Sequence, residues 1–186
     1  MTGGRVLGAQ ETVAAAYARA LSYHAFLVSD TTRADKWAAA NKRAPASVAV
    51  VLRESPRPTG AWHLLVVADL ACSDSPEAVP YLARLADRLP GIELRVLRRA
   101  DGLALLNTHL LNGHTATPLV LVLDSAYRER GVWLERAAHI QQYVTANEGK
   151  IPFDSLAAHV RALRRDDAGR TPLREVLALM QEPRTP

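Results

Sequence analysis

Trp62-His63-Leu64-Leu65-Val66-Val67-Ala68-Asp69-Leu70-Ala71-Cys72-Ser73-Asp74-Ser75-Pro76-Glu77 is the stretch on which the reading of this chain turns. Trp62 to Val67 is a short apolar run with β-branched residues, the pattern of a buried strand. Ser75, Pro76 and Glu77 read as a helix start, with proline in the first turn and an acid near the positive end of the helix dipole. Cys72 is the sole cysteine, and it falls where the strand gives way to the helix. A thiol there meets the dipole and free N–H groups, which favour the reactive thiolate. The plainer alternative stays beside it: a lone cysteine is among the most commonly buried residues and often only fills space.

Working outward, strand and helix patterns alternate. Strands are expected at about 62–68, 92–97, 118–123 and 129–134. Helices are expected at 75–88 and 103–111, the second with Asn112-Gly113 as its C-cap. Asp124-Ser125-Ala126-Tyr127 reads as a turn. Strands joined by a helical crossover should be parallel, and the last two are close enough for an antiparallel hairpin. Both flanks read as helical. Glu11 to Tyr23 carries Val13, Tyr17, Ala20 and Leu21 at spacings of three and four. Asp30-Thr31-Thr32 predicts a cap for a second helix to about Arg43, and Pro45 the start of a third. Ser55-Pro56-Arg57-Pro58-Thr59-Gly60 reads as a linker. Helices are also expected over 136–147 and 153–165, and a final one capped and begun by Thr171-Pro172. Residues 1–8 read as a flexible, tag-like start.

These residues resemble the thioredoxin superfamily, in which a Cys-x-x-Cys turn follows the first core strand and opens a helix. Cys72 matches the nucleophilic cysteine, and Ser75 stands at the resolving one. Pro80 lies in the body of the following helix, where thioredoxins carry a kinking proline. Thr117-Pro118 matches the cis-proline that faces the nucleophile and begins the next strand. The chain is more similar still to a bacterial thioredoxin-like group of poorly defined function with a helical N-terminal extension. Cys72-Ser73-Asp74, the Arg-Asp pair within Arg98-Arg99-Ala100-Asp101, Gly113 and Trp133 carry that likeness. The resemblance implies an α/β fold: a central four-stranded mixed sheet flanked by helices, with helical N- and C-terminal extensions. Three segments are expected, an N-terminal extension over 1–59, the core over 60–135 and C-terminal helices over 136–186.

The departures bear on function. The tryptophan usually found before the nucleophile is Ala71, and the buried acid six residues before it is Val66. With Ser75 for the second cysteine, the chain cannot form an internal disulfide and cannot work alone as a dithiol reductase. In a peroxiredoxin-type site a threonine would lie three residues before the thiol, where this chain has Asp69.

The resemblance implies Cys72 as nucleophile and Ser75 as the hydroxyl one turn on, able to stabilise a thiolate or to serve the helix N-terminus. Ser73, Asp74, Thr117 and Pro118 would line the substrate, the residue before Pro118 offering its backbone to an extended chain. Asp74 has two readings: it repels a thiolate if it faces the sulfur, or it complements the helix dipole. His114 is a candidate proton relay beside the thiol, or a solvated loop histidine. His109 is expected near the same edge.

Composition sets the outer limits. A chain of 186 residues can bury a proper core and suggests one domain with room for an appendage. No apolar run of about eighteen residues occurs, so no membrane span is expected. The first ten residues lack a long apolar stretch, which argues against a secretory signal. One cysteine fits a reducing cytosol, so a cytoplasmic protein is expected. The net charge of +4 rests almost wholly on arginine, with lysine only at 36, 42 and 150. Basic residues are scattered among acids with few aromatics, which argues against nucleic acid. No zinc spacing, phosphate loop or Gly-x-Ser-x-Gly elbow is present, so neither metal nor cofactor is expected.

Two functions of different kinds follow. One is a monothiol oxidoreductase, a thiol-transferase in which Cys72 exchanges with protein or low-molecular-weight thiol disulfides. The other is a redox-inactive thioredoxin-fold binding module. The flanking helices pack on the core or also offer a homodimer face.

Overall fold

A four-stranded mixed sheet carries the core of this protein, seen in a computed structural model that describes residues 12–181. The expected tag-like start, and the Glu11 end of the first expected helix, lie outside the described residues. The strands are β1 (Trp62–Ala68), β2 (Ile92–Arg98), β5 (Leu119–Asp124) and β6 (Glu129–Leu134), in the order β2-β1-β5-β6. A two-stranded hairpin, β3 (Leu110–Leu111) with β4 (His114–Thr115), stands apart. The helices are α1 (Val13–Arg19), α2 (Tyr23–Leu27), α3 (Ala34–Glu54), α4 (Val79–Arg88), α5 (Leu103–Thr108), α6 (Ala138–Asn147), α7 (Phe153–Asp167) and α8 (Arg170–Leu179). Among the described residues no helix is long and apolar enough to cross a membrane.

β1 is apolar except at His63, because both of its faces are covered. Successive side chains of a strand point to opposite faces. Leu64, Val66 and Ala68 pack with residues of α3, α4 and α8, while Leu65 and Val67 pack with Ala16 and Tyr17 of α1 and Leu106 of α5. The resulting cores lie on the two sides of the sheet. Leu173, Val176 and Leu177 of α8 belong to the first, so the last helix completes the core around β1, while Ile140 of α6 and Val160 of α7 form a separate small cluster.

Register positions the site. β1 runs parallel to β2, with Val66 opposite Val96, and antiparallel to β5, with Val67 opposite Leu119. The end of β1, and the turn that follows it, therefore lie beside the start of β5. β6 runs antiparallel to β5 with Leu119 opposite Leu134. Glu135 and Arg136, just past β6, reach the same end of the sheet, and the Glu135 N–H bonds to the Pro118 carbonyl at 2.8 Å.

The structure corrects several sequence expectations. The helix expected over 11–23 ends at Arg19; Leu21 then pairs with Val96 as a short bridge, bonding through both backbone groups at 2.9 and 2.8 Å. The helices expected on either side of Pro45 are the single α3. Trp37, Ala40, Ala44, Val48 and Val51 form one continuous buried stripe, while Pro45 faces solvent, where water can solvate the carbonyl it leaves unpaired. Asp30 serves Thr32 rather than the start of α3, whose N-cap is Arg33 in left-handed geometry. The helix expected over 75–88 is a 3₁₀ turn (Ser75–Glu77), a break at Ala78, and α4, with Pro80 near its start. Asn112-Gly113 is a hairpin turn rather than a helix cap: both residues have positive φ, 51° and 84°, as the preferred two-residue hairpin turn requires. Thr171 does not cap α8. Gly169 precedes that helix at φ 73°, against the Tyr81 ring, and Thr171 bonds back to Asp167.

Candidate functional site

Cys72 lies between the turn after β1 and the strand start at Thr117-Pro118, whose peptide bond is cis. Cys72 is a partly exposed residue. Sγ is 3.3 Å from the Thr117 carbonyl, to which S–H donates, and it accepts the backbone N–H of Asp74 at 3.3 Å. The antiparallel pairing of β1 with β5 imposes this approach. A thiol satisfies the carbonyl, and a thiolate satisfies the N–H.

Ser75 is fully buried, and its hydroxyl accepts the Asp69 N–H at 3.4 Å. It therefore closes the loop between strand and 3₁₀ turn. Ser73 is exposed, and its hydroxyl donates to the Asp74 carboxylate at 3.4 Å. Thr117 and Pro118 are buried, with only the Thr117 carbonyl meeting the sulfur. His114 is exposed on β4 and lines the cleft described below. His109 turns elsewhere, its ring between the Leu105 carbonyl at 2.8 Å and Glu129 at 3.0 Å. Of the residues matched to the bacterial group, Arg98 and Asp101 pair at 2.8 Å, Gly113 forms the β3–β4 turn, and Trp133 donates to Glu175 at 2.6 Å.

Asp74 stands at the N-cap of the 3₁₀ turn, and its carboxylate is taken up by arginines. It is 8% exposed and makes no capping bond with its side chain. Its carboxylate pairs with Arg136 at 3.2 Å and with Arg164 of α7. Arg164 also reaches the Ser73 carbonyl at 3.5 Å. Two arginines from beyond the sheet thus hold the residue whose N–H meets the sulfur, and they balance the negative charge nearest to it. Burial works against the Arg136 charge, but the carboxylates of Asp74 and Glu135 outweigh it and raise its affinity for the proton. Glu77 and Glu135 are both pushed above the ordinary carboxylate range, chiefly by burial, with arginines opposing the shift.

These partners carry little signal in the sequence. Arg136 was reachable: an antiparallel hairpin of the last two strands returns the residues after β6 to the Pro118 end. Arg164 is 90 residues from Asp74 and sits among other arginines on α7, so nothing local singles it out.

A cleft of about 1090 Å³ opens beside the thiol. Ser73 and Asp74 form one wall, the β3–β4 hairpin and Ala116 another, and α6 and α7 the far side. Cys72 is flanked by this lining through its neighbour Ser73 and, across the sulfur contact, through Ala116 beside Thr117.

Comparison with known proteins gives the family. No curated protein sequence matches. Among solved structures, a protein of unknown function from Pseudomonas aeruginosa is 22% identical with a TM-score of 0.69, covering 91% of this chain and 97% of its own. An HIV epitope scaffold is 19% identical with a TM-score of 0.69, covering 91% and 98%. Both share the fold. The thioredoxin family model matches residues 20–150, across the sheet, the Cys72 turn and the cis-proline, and the chain belongs to the thioredoxin family.

Proposed function

We propose that this protein is a monothiol thiol–disulfide exchange protein with Cys72 as its nucleophile. The observation that carries this reading is the seat of the sulfur, against the carbonyl before a cis-proline and accepting a backbone N–H, on a residue that is itself partly exposed. The Cys72 thiolate attacks one sulfur of a protein or low-molecular-weight disulfide. A bond forms between Cys72 and that sulfur, and the other sulfur leaves as thiolate, taking the electron pair of the broken bond. With Ser75 at the resolving position, a second thiol from solution attacks the adduct and regenerates Cys72. The overall reaction moves a thiol group without net oxidation. The chemistry suits a reducing, cytoplasmic setting.

The test is turnover of a mixed disulfide with excess free thiol. The wild-type protein accelerates the exchange, and Cys72→Ser abolishes the acceleration. Equal rates for the two proteins would defeat the proposal.

The binding-module reading has its own support. Val66 is fully buried and apolar where thioredoxins hold an acid, and the Ser75 hydroxyl is engaged at Asp69 rather than at the sulfur. A silent Cys72 would leave this reading standing.

A further inference from the structure

The cleft beside Cys72 has a composition that selects among disulfides. Its acids Asp74 and Glu135 are neutralised by Arg136 and Arg164. Glu77 lies in the fields of Arg164 and Arg43. Of the remaining charges, the cations Arg33, Lys36 and Arg161 stand against the single acid Glu148, with Lys36 also in the field of Glu77. All three cations are exposed, and none is hydrogen-bonded or ion-paired through its side chain to a described residue. The same cleft is lined by apolar side chains, among them Val144, Ile151, Leu156 and Val160. A volume of about 1090 Å³ is ample for a small organic molecule and far more than an inorganic ion needs.

We propose that this cleft binds the non-reacting arm of an anionic low-molecular-weight thiol, with its acidic groups at Arg33, Lys36 and Arg161 and its sulfur at Cys72. This rests on the thiol-exchange reading and names its substrate class. A mixed disulfide of such a thiol reacts at Cys72: the anionic thiol stays on the protein and its former partner leaves as thiolate with the electron pair of the broken bond. A second molecule of the same thiol then attacks the adduct, forming the symmetrical disulfide and freeing Cys72 as thiolate. Three exposed cations around one cleft attract an anion before contact, so selectivity should lie in the rate and be screened by salt.

The experiment follows mixed-disulfide formation at Cys72 by intact mass with three probes: anionic glutathione disulfide, uncharged hydroxyethyl disulfide and cationic cystamine. At low salt, glutathione disulfide should react roughly tenfold faster than cystamine. In the double variant Lys36→Glu with Arg161→Glu, its rate should fall by about tenfold, while that of hydroxyethyl disulfide holds. Equal rates for the charged probes, or an unchanged ratio in the variant, would overturn the proposal. Binding of S-methylglutathione to Cys72→Ser, followed by NMR, reads the cleft without the chemistry. Amide shifts near Lys36 and Arg161 support the site even if no disulfide reacts at Cys72, in which case only the exchange reading has failed. Absence of shifts overturns the site.

Discussion

Arg164 of α7 pairs with the Asp74 carboxylate across 90 residues of chain, while the Asp74 N–H meets the Cys72 sulfur at 3.3 Å. The C-terminal helices therefore reach the thiol turn directly. Both side chains of the pair are mostly buried, at 14% and 11% exposure. Removing one partner of such a pair leaves an uncompensated charge. Arg136 still holds Asp74, so Arg164→Ala should cost about 2–3 kcal/mol, below the full cost of breaking a buried pair. Urea denaturation checks this as a lower midpoint at unchanged slope. The same variant should slow Cys72 alkylation, because the freed carboxylate repels the developing thiolate, and Arg164→Lys should restore part of the rate. Alkylation unchanged in both would make the clamp purely structural.

Ser75→Ala separates two roles. It removes the acceptor for the half-buried Asp69 N–H, which should cost roughly 1 kcal/mol of stability. Because the hydroxyl faces Asp69, the exchange rate at Cys72 should change by less than about threefold, a small fraction of a tenfold effect worth 1.4 kcal/mol. Denaturation and mixed-disulfide kinetics on the same sample measure both. A large loss of rate with little loss of stability would show that the hydroxyl serves the sulfur.

Glu77 gives a pH-dependent prediction. Burial raises its carboxyl above the ordinary range, so the folded state holds this proton more tightly than the unfolded chain. The charged form then costs stability at neutral pH. That cost fades as pH falls from the raised folded value to the unfolded one. Glu77→Gln should accordingly stabilise the protein at pH 7, with the gain gone below about pH 4. Denaturation at the two pH values decides it; destabilisation at pH 7 would mean that its arginine neighbours outweigh burial.

Leu177 tests whether the final helix belongs to the core. It is 1% exposed and clusters with the even face of β1, so Leu177→Ala should cost about 2–5 kcal/mol. Val28→Ala, at a site 68% exposed, should change stability by less than about 0.5 kcal/mol. A single cooperative transition in both variants is expected; a separate early transition in Leu177→Ala would mean that α8 melts apart from the sheet.

The sheet was legible because its strands are short apolar runs bounded by polar turns, and β1 begins and ends where its pattern does. Cys72, Thr117 and Pro118 were legible as a constellation because strand pairing brings them together whatever the flanking helices do. The misread elements share a cause: local signals overridden by packing. Pro45 marks a helix start in isolation, yet the buried stripe from Trp37 to Val51 runs through it. Asn112-Gly113 fits a helix cap or a hairpin equally well until the chain on either side is placed. The Asp74 clamp was illegible because it depends on Arg164, whose position follows from helix packing rather than from any periodicity near Cys72.

The most direct measurement is the rate at which dithiodipyridine releases thiopyridone on reaction with Cys72, compared between the native protein and the same protein unfolded in urea at one pH. The native thiol should react faster than the unfolded one, because the fold presents the sulfur with a donor N–H at an open edge. A native rate slower than the unfolded rate, or no reaction until urea is added, would contradict Cys72 as a nucleophile.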